Sequence, residues 1–284
     1  MIKKYSADIE LAGYIKDMPE SIYHNTNGFI SKSTLSQLEK QTPYRFLKAV
    51  KKPQTKAMEI GTAIHCAVLE PEKFESEYLL LPDVHAKTLK AYKDAVADNP
   101  DKKVINGTDA KNINGMINAL QCYKRASELL SLDGHCELSG FHIDESGIGL
   151  RHRFDKLTHC GIGIDLKKTQ SVAPEDLSKT INDYGYHMQC ALYSDAYQAI
   201  TGKPLKAFYF IFVEESYPHE VAVVYLDDVS EHIGRENYKA LLEKYQDVIE
   251  NRDSYLSSSD ELMVSLPEWV IARYERDLED GGIY

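Results

Sequence analysis

The spacing of apolar positions changes several times along the chain, and each change marks an element. In residues 150–157 and 162–167 polar and apolar side chains alternate as on half-buried strands, and the turn at 159–161 between them predicts an antiparallel hairpin. Residues 136–143 read as the strand before it, and 206–213 and 220–226 as two later strands whose apolar runs predict burial. Helical spacing covers 55–69, where Met58, Ile60, Ile64 and Leu69 are apolar and Pro71 ends the element, then 109–131 as one long helix, 186–200, 227–251 and 267–278. Residues 31–50 open on a Ser/Thr cap region, and Pro43 interrupts the pattern of Leu35, Leu38, Phe46 and Leu47, which predicts two short helices. Three stretches carry no period: residues 1–30, read as irregular with a turn at YHNTNG, residues 82–107, read as a polar mobile loop through ADNPDKK, and the SSSD linker. There is no internal repeat and no low-complexity tract.

Length and composition narrow the setting. With 284 residues, 43% of them hydrophobic and 27% charged, the chain is expected to form a single globular domain, with a core over about 31–226 and an acidic helical region over 227–284. No apolar run reaches the roughly eighteen residues a membrane helix needs, and the first residues lack a signal-peptide core, so no membrane association and a cytoplasmic location are expected. Five cysteines without a CxxC pair argue against a disulfide framework or zinc ribbon and predict reduced, mostly packed thiols. The net charge of −11 would disfavour nucleic acid if it were spread evenly. It is not: residues 214–284 hold 18 acidic and 6 basic residues, net −12, which leaves the other 213 residues with 26 acidic and 27 basic.

The chemistry concentrates in 150–193. Alternation on a strand puts Arg151, Arg153 and Asp155 on one face and Asp165 with Lys167 on one face, while Gln189 and Tyr193 stand one helical turn apart. Carboxylate oxygens suit hard cations such as Mg²⁺ or Mn²⁺, and a lysine two residues after a ligand can orient water or stabilise charge developing on phosphorus. That is an arrangement for phosphodiester hydrolysis. A D-x-K pair alone reads equally as an ion pair at a strand edge; the second aspartate ten residues upstream and the Gln/Tyr pair downstream shift the balance to a site. His65, one turn after Gly61, can complete a metal site as a neutral imidazole, against the commoner reading of a satisfied core or surface histidine. Glu137 is a further candidate ligand, with a solvated edge-strand carboxylate as its bland alternative. Arg151 and Arg153 are phosphate-contact candidates, against salt bridges to Asp155 or Glu137.

The segments G61-T-A-I-H65, R153-F-D155, I164-D-L-K167 and Q189-C-A-L-Y193 together resemble the RecB-like branch of the PD-(D/E)XK nuclease superfamily, and within it the RecE-type exonucleases, the exonuclease VIII family of phages and prophages. The resemblance runs over roughly residues 33–225. It implies an α/β fold, a restriction-endonuclease-like core with a central mixed β-sheet flanked by helices. It implies a Mg²⁺-dependent exodeoxyribonuclease, with Mn²⁺ as substitute, that digests linear double-stranded DNA 5′-to-3′ from its ends. The 3′ overhangs would pass to a single-strand annealing protein of RecT type for homologous recombination. Carried over by position, His65, Asp155 and Asp165 match metal ligands, with Glu137 and the backbone carbonyl of Leu166 beside them. Lys167 matches the catalytic lysine, and Gln189 and Tyr193 the helix motif; Arg151, Arg153 and Lys168, beside the site, are the DNA-contact candidates. Phe154 stands where the family often has proline, and the acidic stretch 214–284 lacks the cysteines of the iron–sulfur relatives, which removes Cas4-like and AddB-like assignments.

Two other classes fit the same ligands: a structure- or site-specific endonuclease, and a non-catalytic DNA-binding relative, against which the complete D…DxK set speaks. Arg151, Arg153, Lys156 and Lys168, with Lys48, Lys51, Lys52 and Lys56, are few cations to hold a duplex in one copy. A closed homo-oligomer is therefore expected, and the resemblance implies a ring of three or four copies.

Overall fold

The computed structural model describes residues 2–50, 53–257, 261 and 263–279. Lys51, Lys52 and most of the SSSD linker lie outside these.

Residues 1–30, read as irregular, instead contribute β1 (Lys3–Lys4), β2 (Gly13–Lys16), α1 (Glu20–His24) and β3 (Phe29–Ile30). Tyr14 and Ile15 of β2 are buried, and Ile15 pairs with Ser139 of the main sheet. Four residues are too few to show a period, which is why this strand is silent in the sequence. Two short helices follow as expected, α2 (Lys32–Glu39) and α3 (Pro43–Leu47), then α4 (Lys56–Leu69), opened by Thr55, whose side chain accepts from the Met58 N–H at 3.3 Å.

Helix α4 ends at Leu69 as expected, and Pro71 then occupies the first turn of a new helix, α5 (Pro71–Glu77), where its missing N–H is no loss. Residues 82–107 are not a mobile loop. After β4 (Tyr78–Leu81), it holds α6 (Lys90–Asp98) and β5 (Lys103–Asn106), and β4 pairs in parallel with β5 as a small second sheet. The expected long helix at 109–131 is two, α7 (Gly107–Cys122) and α8 (Lys124–Ser131), broken at Tyr123. Leu120, Ala126 and Leu129 are all buried across the break, so the apolar pattern runs through it unmarked.

The main sheet is built on β6 (Gly134–Ile143), β7 (Gly149–Thr158) and β8 (Ile162–Thr169), followed by α9 (Pro174–Asp183), α10 (Tyr186–Thr201), β9 (Ala207–Glu214) and β10 (Val221–Val224). Its order is β1-β2-β6-β7-β8-β9-β10, with β3 added to β7, and it is mixed: β8 and β9 run parallel, while β6, β7 and β8 are antiparallel neighbours. Helices cover both faces. Ile164, Leu166, Ile211 and Val213 pack against α4, α7 and α8, whereas Phe154, Phe208, Phe210 and Phe212 pack against α9 and α10. The chain ends in α11 (Asp228–Glu250), α12 (Arg252–Ser257) and α13 (Glu268–Glu279). Tyr238, Leu241 and Leu242 of α11 pack on Met188, Ala191 and Leu192 of α10, so the acidic region begins inside the packed body rather than beside it. All five cysteines are free, and only Cys66 and Cys190 are buried. Among the described residues no helix is long and apolar enough to cross a membrane.

Candidate active site

The β7–β8 hairpin forms, but its ladder is short. Only Lys156↔Ile164 and Leu157↔Gly163 pair, and beyond them the strands diverge. The Asp155 carboxylate takes the place of the next rung, accepting from the Leu166 N–H at 2.7 Å. The fork matters because the register of these two pairs would set Asp155 directly across from Asp165, and the parting of the strands turns the two carboxylates to different sides. Asp155 points toward α4, whose His65 Nδ1 lies 3.3 Å from its Oδ2, and Asp165 points toward α10, whose Gln189 amide donates to its Oδ1 at 2.5 Å. The opening between the strands lets both reach one cleft. Lys167, on the Asp165 face, contacts the other Asp165 oxygen.

Glu137 completes the centre from β6. The flanking pairs Cys136↔Lys156 and Leu138↔Phe154 place it opposite Asp155, and its φ of +49° interrupts the ladder there. A non-glycine residue in this left-handed region is strained, and such strain gathers at functional sites. His65, Glu137 and Asp155 each offer a ligand atom, all within 4.8 Å of one another. Burial, followed by the Asp155 charge, pushes the Glu137 carboxyl up to about 8, and burial with the Asp165 charge pushes Asp155 up to about 6. Two carboxylates facing each other beside an imidazole, each held toward its neutral form, are a donor set that a divalent cation fits. Burial opposes the charge on Lys167, but Asp165 and Asp155 outweigh it and hold the ammonium above its usual range.

Other expected residues are placed differently. Leu166, whose carbonyl is the expected ligand, meets the centre through its N–H, which donates to Asp155. Lys168 faces away from Lys167 by strand alternation and pairs with Glu215, so it is not brought to the cleft. Lys156 donates to the Leu130 carbonyl and Lys56 pairs with Asp109 at 2.7 Å. Arg151 and Arg153 line the cleft but are engaged. Arg151 Nη1 donates to the carbonyls of Tyr23 (2.9 Å) and Thr26 (3.2 Å) and to Thr26 Oγ1 (2.6 Å). Arg153 donates to Ser139 Oγ (3.0 Å) and the Met18 carbonyl (2.9 Å), and lies 3.8 Å from Glu137. Tyr193 packs edge-on against Phe154, and its hydroxyl accepts a long 3.5 Å hydrogen bond from the Arg153 N–H, so it steadies β7 beside Asp155.

Two cleft residues went unnoticed in the sequence. The Tyr186 ring lies 5.0 Å from the Lys167 ammonium and 5.5 Å from that of Lys32. Tyr186 stands three and seven residues before Gln189 and Tyr193, a helical face that spacing alone could have revealed. Lys32, at the start of α2, has no local signal. Burial, and then the Lys167 charge, pulls its ammonium down to about 8.

Around the centre the surface opens into two adjoining cavities, of about 570 and 890 Å³, that share Glu137, Arg153, Asp155, Lys167 and Tyr186. The first is rimmed by α1 and α2, the second by α4 and the insert that carries β4 and β5.

Comparison with solved structures finds a protein of Eubacterium rectale described as a "Putative exonuclease", with a TM-score of 0.58 at 12% identity, covering 90% of this chain and 98% of that one. At that identity the likeness is one of fold. A structure designated SSO0001 aligns at a TM-score of 0.29 and 14% identity, over 82% of this chain and 96% of that one. No curated protein matches. The model of the PDDEXK-like domain of unknown function DUF3799 matches residues 31–258, which take in the fork, the donor set and the Gln189 helix, and the chain belongs to that family.

Proposed function

We propose that this protein is a metal-dependent exodeoxyribonuclease that digests linear double-stranded DNA 5′-to-3′ and leaves 3′ overhangs for a single-strand annealing partner of RecT type. The observation that carries the reading is the fork itself, which unites a His65–Glu137–Asp155 donor set with Asp165, a cationic Lys167 and Gln189 in an open cleft. A divalent cation, Mg²⁺ or Mn²⁺ in its place, supplies Lewis acidity and charge neutralisation there. The chain does the rest. Lys167, held protonated, faces the negative charge that develops on phosphorus. Gln189 fixes the Asp165 carboxylate, and Asp165 in turn fixes the lysine, so neither reorganises during the reaction. Tyr186 forms an apolar wall beside the ammonium and strengthens its field.

Attack from DNA ends is supported by the RecE-type motif set and by the description of the Eubacterium rectale protein. A closed homo-oligomer is part of the same reading, because Arg151, Arg153, Lys156, Lys168 and Lys56, expected to hold the duplex, are each engaged with protein groups in one copy. The test is incubation with Mg²⁺ and linear duplex labelled at the 5′ or the 3′ end, beside nicked and closed circles. Early release of the 5′ label with closed circles intact is expected; cleavage of the closed circle would make the protein an endonuclease.

A further inference from the structure

Lys32 and Lys167 approach the same aromatic ring, but their electrostatic surroundings differ. Lys167 rests on Asp165. Lys32 donates to the Tyr184 carbonyl, and among the described residues no carboxylate lies within ion-pair distance of it. A half-buried ammonium beside a second ammonium, with only a carbonyl and a ring for partners, lacks a neutralising anion. The same cavity is lined by Ser31, Ser33, Thr34 and Gln37, whose hydroxyl and amide groups suit phosphate oxygens. The arginines that alternation offered for this task are spent on the carbonyls of Met18, Tyr23 and Thr26.

We propose that Lys32, with the hydroxyl groups at the start of α2, forms a second phosphate subsite that holds the phosphodiester next to the scissile one on the same strand. Lys167 then addresses the scissile group and Lys32 its neighbour, with the Tyr186 ring near both. The subsite rests on the phosphodiesterase reading above. It makes two consecutive charged linkages the unit that the cleft recognises and sets the register in which the strand advances.

The test pairs a substrate change with a side-chain change. Short duplexes carry one uncharged methylphosphonate linkage on either flank of the scissile bond, and single-turnover cleavage is measured for the wild type, Lys32→Gln and Lys32→Arg. Glutamine keeps a polar donor but is uncharged and shorter, and Lys32→Arg restores charge and length. Losing one charged hydrogen bond is expected to slow the wild type about 10-fold or more when one flank is neutral, and to slow Lys32→Gln by a similar factor on the all-phosphate duplex. On the neutral-flank duplex Lys32→Gln should lose little more, and Lys32→Arg should recover the sensitivity to charge. Multiplying losses, or equal sensitivity at both flanks in every variant, would overturn the subsite. Metal-dependent hydrolysis of bis(p-nitrophenyl) phosphate by the wild type separates the two levels. If it proceeds while the coupling is absent, the subsite alone fails; if neither this diester nor DNA is cleaved, the phosphodiesterase reading falls and the subsite with it.

Discussion

Burial opposes the charge on Lys167 and the two aspartates restore it, so the side chain acts as a cation rather than as a base. Lys167→Ala should lower turnover by about 10²- to 10³-fold while metal affinity stays near the wild-type value. Asp155→Ala should lose both. Calorimetric titration of Mn²⁺ into the two variants distinguishes them, and an equal loss of affinity in both would assign Lys167 to holding the centre together. A second prediction follows from the carboxyls. Both are raised above their ordinary values of 4.5 for Glu137 and 3.8 for Asp155, so in the metal-free protein their contribution to stability is full at low pH. It is lost as pH rises through about 6 for Asp155 and about 8 for Glu137. A cation must displace these protons, so metal affinity and the metal-induced rise in Tm should both grow from pH 5 to 8. Melting in chelator and in Mn²⁺ across that range checks the sign. Glu137→Gln should flatten the metal-free profile, by an amount on the order of a few kcal/mol at high pH.

Among the elements, the positioning of α10 decides whether Gln189 and Tyr193 reach β8 and β7. Helix α11 crosses it at Gly234, where an added Cβ would overlap the His187 carbonyl of α10. Gly234→Ala should therefore force the two helices apart, cost about 1–3 kcal/mol in urea unfolding and lower turnover by displacing Gln189. Arg151 offers a contrasting case. Its guanidinium caps the carbonyls of Tyr23 at the end of α1 and of Thr26 just after it, and Arg151→Ala leaves them without that donor. A loss of about 1–3 kcal/mol in stability is expected. A weakening of DNA binding with unchanged stability would instead restore Arg151 as a phosphate contact.

For the whole molecule, charge is divided along the chain: net −12 over 214–284 against net +1 elsewhere. Under the proposed function the acidic helices would repel DNA where they are exposed, whereas the cleft is lined by residues from 17–193. A ring of copies would add their contacts and prevent escape of the duplex. Light scattering at assay concentration should show a closed oligomer, and digestion in the presence of trap DNA should continue over many nucleotides. A strict monomer that digests long stretches without rebinding would refute the assembly.

Much of this was legible in the order of residues. Period-2 and period-3.6 patterns placed β6 to β9, α4 and α10 because each buries a continuous apolar stripe, and the spacing of Asp155, Asp165, Lys167 and Gln189 marked the site without long-range information. Short elements escaped: β2 and β5 are four residues each and depend on strands far away in sequence for their hydrogen bonds. The engagement of Arg151 and Arg153, the turning of Lys168 to Glu215 and the arrival of Lys32 likewise depend on which segments meet in space. The sequence alone determined which chemical groups the protein carries and on which side of each strand they stand. Only the tertiary structure decided that β7 and β8 part after two pairs, so that aspartates turned toward different helices share one cleft. A local pattern records where a side chain points, but not where a ladder opens.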